Sequence, residues 1–437
     1  MNQHNLNKND SLANLRNGIW LYFILLIFEG ALRKWILPQL ANPLLLIRDP
    51  LVIYLFFSAS FNRVVYFNSY IFYMLSIVAV SFIATMITGH GNIIVALYGA
   101  RIFIIHFPMI FLIGTVFNKE DVIKMGKVIL YISIPMALLI AVQFFSPQTA
   151  WVNKGIGDAI GGGFSGAMGY LRPPGTFSFT SGTTSFFSLV AVFVFYFWIE
   201  SKKINRVVLS LATAALLASI PFSISRSLLF QIMISFGFTI IGASIIKQNS
   251  NKGITMILGF SALALLLSLF DIFSIGIEAF STRLERANTA EGGIESVFLD
   301  RYLGGLINAL SSSTNQPFLG YGLGYGTNVG SSILTNKRAF LISEGELGRL
   351  IGELGPILGI AIILIRLLMT VKLTSWAWQY LKINDILPWI LLSFTLFILP
   401  QGGWSQPTSL GFCVLVTGLL IASFKSDQSE KIIDEQL

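Results

Sequence analysis

The chain has 437 residues, 54% of them hydrophobic and only 11% charged, with a mean hydropathy of +0.74 and a formal net charge of +8. Soluble domains carry roughly 25% charged residues, so the composition excludes a soluble globular protein and leaves an all-α polytopic membrane protein. The single cysteine, Cys413, excludes an intramolecular disulfide, and nothing in the charge pattern points to nucleic acid.

Apolar runs of about 17–25 residues are each long enough to cross a bilayer core. They recur at 17–37, 43–61, 69–87, 97–117, 128–147, 182–199, 207–222, 227–246, 253–273, 347–370, 384–400 and 407–424. About twelve transmembrane helices are therefore predicted in a single membrane domain, 1–437, with two long polar loops at 148–181 and 274–346. The first run is too long for a cleaved signal peptide and lacks a small-residue cleavage site. With the N-terminus in the cytoplasm, the inside segments hold twelve of the fifteen lysines, as the positive-inside rule expects. That places both termini inside and both long loops outside. Eleven of the fourteen arginines lie instead in helices or on the outer side, ten if Arg366 snorkels inward. Arginine's planar, permanently charged fork suits phosphate and carboxylate. This segregation predicts an anionic ligand at the outer leaflet, with structural carboxylate pairs as the plainer alternative.

In chain order, the first span ends Phe28-Glu-Gly-Ala-Leu-Arg-Lys-Trp. Glu29 and Arg33 stand four apart with the acid first, the favoured order for a helical pair. The second carries Arg48-Asp49-Pro50, in which Asp49 is placed to cap and Pro50 suits a first turn. Arg101 and His106 are five apart, which predicts different faces of one helix; at that depth Arg101 needs Asp49, Glu29 or a ligand. The 148–181 loop holds Trp151, Tyr170 and Leu171-Arg172-Pro-Pro-Gly-Thr-Phe, where proline and glycine fix the backbone around Arg172. Its aromatics suit either a sugar ring or the membrane interface. A short turn, Ser219-Ile-Pro-Phe-Ser-Ile-Ser-Arg226-Ser, puts Arg226 rigidly at the outer mouth of the bundle, where a buried charge is costly unless paired.

In the main loop, Phe298–Leu310 has the period of an amphipathic helix with Arg301 near its polar side. Gly320, Gly322, Gly324 and Gly326 alternate around Tyr321, a substrate-binding candidate, but no strand–helix unit surrounds them, so a dinucleotide fingerprint is rejected. Turn formation or close backbone approach to a ligand remains. Glu346, Arg349 and Glu353 share one helical face, either as a salt-bridged helix start or as an anion-binding arginine between carboxylates. Gln401 and Gln406, in the last outer turn, are placed to line the site. The histidines are scattered and no metal-ligand cluster is present, so neither a metal nor another cofactor is predicted.

Taken in order, these motifs resemble the O-antigen ligase/polymerase superfamily of bacterial envelope enzymes. The residues that carry the likeness are Arg172 ahead of Gly-Thr-Phe, the Ser223-x-Ser225-Arg226 turn, and Arg301 seven residues before Asn308-Ala-Leu. Pro317-Phe-Leu-Gly-Tyr-Gly-x-Gly and a closing glutamate-glycine helix follow. The likeness spans roughly residues 90–424. It implies a metal-independent glycosyltransferase at the periplasmic face of the bacterial inner membrane, acting on oligosaccharide linked to undecaprenyl diphosphate. Arg172, Arg226 and Arg301 would then hold the diphosphate, with Arg48, Arg101, Arg349, Glu346 and Glu353 as further binding candidates. The ligase branch has a histidine shortly before the last glycine-rich helix. This chain has Glu344 there, a candidate general base, which favours polymerase over ligase. A transporter or flippase of lipid-linked sugar is the alternative from another class. The bilayer, a flippase and a chain-length regulator are the further candidate partners.

Overall fold

The computed structural model describes residues 2–246, 250–291, 311, 316–337, 341–343 and 345–425. In chain order the helices are α1 (Asn2–Ala31), α2 (Arg48–Phe61), α3 (Ser69–Ile87), α4 (Ile93–Arg101), α5 (Phe107–Val116) and α6 (Lys119–Phe145). After a short hairpin come α7 (Thr180–Ile199), α8 (Arg206–Ser223), α9 (Arg226–Ile245), α10 (Ser250–Ser268) and α11 (Asp271–Glu291). The chain closes with α12 (Asn328–Thr335), α13 (Glu346–Lys382), α14 (Leu387–Gln401) and α15 (Pro407–Ser423).

The protein is an all-α polytopic membrane protein, and every predicted apolar run folds as helix or as helix broken once. Among the described residues, nine helices are long and apolar enough to cross a membrane, ten if a bent pair counts as one. That pair, Lys252–Ser268 and Asp271–Arg286, is bent by 102°. The predicted count of twelve is thus not reached on length alone. The last two helices have 15 and 17 residues, about 22 and 26 Å at 1.5 Å per residue, less than a hydrocarbon core of about 30 Å.

The organising element is α7, whose phenylalanine-rich stretch from Phe186 to Phe197 is buried all round. It packs against α6, α8, α9, α10, α14 and α15, the environment in which a helix apolar on every side is stable. α15 lies against α5, with Gly114 and Gly418 letting the two backbones approach.

Two features were not legible in the apolar pattern. The first is a two-stranded antiparallel hairpin inside the 148–181 loop, β1 (Phe164–Ala167) and β2 (Tyr170–Arg172), turned by Met168 and Gly169 at positive φ. The second is a fold-back in α13. Gly355 adopts φ 80° and ψ 167°, outside the helical region, so 346–354 is a separate short helix that packs back on Gly359. The predicted span at 347–370 therefore does not run straight from its first residue.

Candidate functional site

Three helix N-termini meet at one end of the bundle. Ser225 caps α9, its hydroxyl accepting from Leu228 N, and the same hydroxyl lies 2.9 Å from Thr184 Oγ1 in the first turns of α7. Ser181 Oγ donates to Gln406 Oε1 at 3.2 Å, and Gln406 immediately precedes α15. Each such terminus presents unsatisfied N–H groups and the positive end of a helix dipole, which favours an anion. Arg226, half-buried, is the first residue of α9, placed there because Ile224 takes the left-handed conformation (φ 45°) and reverses the chain.

The hairpin leans on this turn. A Cβ on Gly166 would lie 3.0 Å from Ile224 Cδ1, and Arg283 of α11 donates to Ser165 O at 3.1 Å. Arg172, also half-buried, ends β2 opposite Phe164. The segment carrying Arg172 and the turn carrying Arg226 are therefore brought to the same end of the fold. Arg301, Glu344 and the predicted amphipathic helix at 298–310 lie outside the described residues.

The other candidate arginines sit in buried ion-pair networks. Arg48 (2% exposed) donates to Glu29 Oε2 at 3.2 Å and to Pro407 O at 2.7 Å, while Arg33 Nη1 lies 3.4 Å from Glu29 Oε1. Arg101 places Nη1 at 3.0 and 2.9 Å from the two Asp49 oxygens, and His106 Nε2 is 3.0 Å from Oδ1. The expectation that Arg101 and His106 face different ways is corrected here. A π-helical turn over Ile102–His106 closes bonds to the fifth residue, so residues five apart share a face. Asp49 makes no capping bond; its carboxylate is committed to these partners.

Glu346, Arg349 and Glu353 do come together, with Arg366, for which inward snorkelling was the alternative, as a fourth member. All three Arg349 nitrogens are bonded: Nε and Nη2 to Glu346 at 3.0 and 2.8 Å, and Nη1 to Glu353 at 2.6 Å. Arg366, fully buried, donates to Glu346 Oε1 at 3.0 Å, to Leu399 O and to Gly402 O, and stacks 4.0 Å from the Trp404 ring. Residues 346 and 366 would be about 30 Å apart on a straight helix. The fold-back at Gly355 is what joins them; the apolar pattern runs straight through it, and the Gly355-Pro356 pair is the local signal that marks the break.

The glycine run packs against this network. Glu353 Oε1 accepts from Gly326 N at 2.8 Å, and Tyr321 N and Gly322 N donate to Gly352 O and Glu353 O. Gly324, at φ +82°, sits against the Val95 carbonyl and the backbone of Gly99. Of the two uses expected of these glycines, the structure displays turn formation, with Gly320 N, Tyr325 N and Thr327 N donating to Pro317 O, Gly322 O and Gly324 O and with Gly320, Gly322 and Gly324 at positive φ. The close approach it shows is between segments of the chain itself. Tyr321, 39% exposed, stacks on Tyr325 at 5.3 Å, and Tyr325 on His90 at 6.2 Å. The loop aromatics Trp151 and Tyr170 stack on Trp35 and Phe144.

At the opposite end lysines predominate. Lys119 pairs with Asp385, Lys425 Nζ reaches the Thr115 carbonyl, Lys203 meets Tyr196 and Lys252 faces Glu200. The bundle thus has a lysine end and an end where arginines, hydroxyls and helix N-termini collect. No protein-family model matches the chain, and no curated protein sequence matches it.

Proposed function

We propose that this protein is an inner-membrane glycosyltransferase that polymerises undecaprenyl-diphosphate-linked oligosaccharide repeat units at the periplasmic face. In this reading the chain crosses the bilayer twelve times, the bent pair counting once and α14 and α15 both crossing. The lysine end and both termini face the cytoplasm. The observation that carries the reading is the meeting of the α7, α9 and α15 N-termini through Ser181, Thr184, Ser225 and Gln406, with Arg226 opening α9. Fixed dipoles and a guanidinium fork at one point suit a diphosphate that gains charge as it leaves.

In the reaction, the anomeric C–O bond to the donor diphosphate breaks and an acceptor hydroxyl forms the new glycosidic bond. Arg226 and Arg172, with Arg301, bind the departing diphosphate. Glu344 takes the hydroxyl proton as general base. Arg48, Arg101, Arg349, Glu346 and Glu353 act indirectly, because they are already hydrogen-bonded in buried ion pairs; they fix the helices on which the site rests.

A deletion in the native host, with surface polysaccharide resolved on a gel, tests the assignment. Loss of the ladder with a single repeat unit still transferred is the polymerase result. Loss of both, with lipid-linked glycan accumulating, would assign the protein as the ligase instead. An unchanged pattern would end the glycosyltransferase reading.

A further inference from the structure

Among the described residues, Lys34 stands apart from the other buried charged side chains. It is 1% exposed, and no carboxylate oxygen of the described residues lies within 4.0 Å of it. Its ammonium donates to the Gly175 carbonyl at 2.6 Å and lies 4.4 Å from the Trp35 ring centre. A buried ammonium without a counter-charge is among the more expensive features a membrane protein can carry. The carbonyl it binds has a second, longer donor in Gln143 Nε2 at 3.2 Å, which holds it less closely than the ammonium does. A methionine at 34 would spare the fold a buried charge and leave no orphaned acceptor.

What Lys34 holds is the segment immediately after Arg172. Pro173–Ser178 is buried and tied down at each step. Gly175 turns at φ +60°, and its N–H donates to Gln143 Oε1 at 2.8 Å. Thr176 Oγ1 donates to Ile27 O at 2.6 Å, and Ser178 Oγ accepts from Arg33 Nη1 at 2.9 Å. Gly30 has no room for a Cβ against the backbone of 176–178. Lys34 and Arg33 face this segment together because a π-helical turn over Leu32–Ile36 ends the first span. Such single π turns are rare and recur at functional sites.

We propose that Lys34 is a positioning residue for Arg172: its ammonium anchors the Gly175 turn so that Arg172 is presented to the donor diphosphate in a fixed place. This rests on the reading of Arg172 as a diphosphate ligand. A side chain retained at a cost to stability because it orders a working group is the usual trade between stability and activity.

The test is a double-mutant cycle on Lys34→Met and Arg172→Lys. Transfer is measured in membrane vesicles supplied with undecaprenyl-diphosphate-linked oligosaccharide extracted from a host lacking the gene. Lys34→Met is expected at wild-type abundance with an unfolding midpoint equal or higher, and with transfer reduced about 10- to 100-fold, the scale of a misplaced reactive group. Added to Arg172→Lys, it should reduce transfer by less than about threefold further, since the fork it positions is already gone. Normal transfer by Lys34→Met overturns the proposal. So does a midpoint that falls in step with transfer, or losses that multiply in the double variant. If Arg172→Lys alone transfers normally, the role of Arg172 fails, and the positioning role falls with it.

Discussion

The network around Glu346 makes a quantitative demand on stability. Its two carboxylate oxygens accept from Arg349 Nε at 3.0 Å, Arg349 Nη2 at 2.8 Å, Arg366 Nη1 at 3.0 Å and Trp404 N at 3.1 Å. Both guanidiniums are buried. Glu346→Gln keeps one acceptor oxygen and turns an amide NH2 toward donors, so two buried cations lose the charge they share. Breaking a buried pair from one side costs about 3–5 kcal/mol, most of it from the cation left uncompensated. The assay is denaturant unfolding of purified protein in detergent, with Glu353→Gln alongside. Glu353 accepts from only one guanidinium nitrogen and from Gly326 N, so its loss should be smaller. A Glu346→Gln penalty below about 1 kcal/mol, or one smaller than that of Glu353→Gln, would refute the network as a buried lock.

The glycine run offers a steric counterpart. Gly324→Ala forces an L side chain into φ +82° against the Val95 carbonyl, which should cost about 2–5 kcal/mol from strain and overpacking together; Gly403→Ala, with open space around it, should unfold within about 0.5 kcal/mol of wild type. Thermal midpoints of the two variants decide it. At the lysine end, burial, with Arg16 nearby, pushes the Lys425 amine down to about 8 from the ordinary 10.5. The folded state then binds fewer protons than the unfolded state between those values, so stability rises with pH through that window. Lys425→Gln should flatten the rise in midpoint between pH 7.5 and 9.5, and equal slopes in the two proteins would contradict it.

Much of this architecture is written locally. Apolar runs locate the helices, and the i, i+3 and i, i+4 spacings of Glu29 with Arg33, and of Glu346 with Arg349 and Glu353, announce the pairs the structure contains. That Arg101 needs a partner follows from the cost of a lone charge at that depth; of the candidates Asp49, Glu29 and a ligand, the structure pairs it with Asp49. What stays hidden depends on hydrogen-bond register or on long-range return of the chain. The π turns at Leu32–Ile36 and Ile102–His106 change which residues share a face without changing composition. The fold-back at Gly355 joins residues 346 and 366, and nothing in the sequence singles out Lys34 until Gly175 is placed on it. The convergence of three helix N-termini was legible only in part: the Ser225-Arg226 turn and Gln406 of the last outer turn stand out in the sequence, whereas Ser181 and Thr184 acquire meaning once α7 is packed beside them.

The central claim, that Arg226 at the meeting of these termini holds the donor diphosphate, is tested most directly in proteoliposomes. Purified wild type and Arg226→Ala are each given undecaprenyl-diphosphate-linked repeat units extracted from a host lacking the gene, and chain elongation is followed on a gel. Wild type should elongate chains, and an equally abundant and equally folded Arg226→Ala should give product reduced at least about 100-fold, the scale seen when one transition-state charge donor is removed. A wild-type ladder from Arg226→Ala would contradict the central claim.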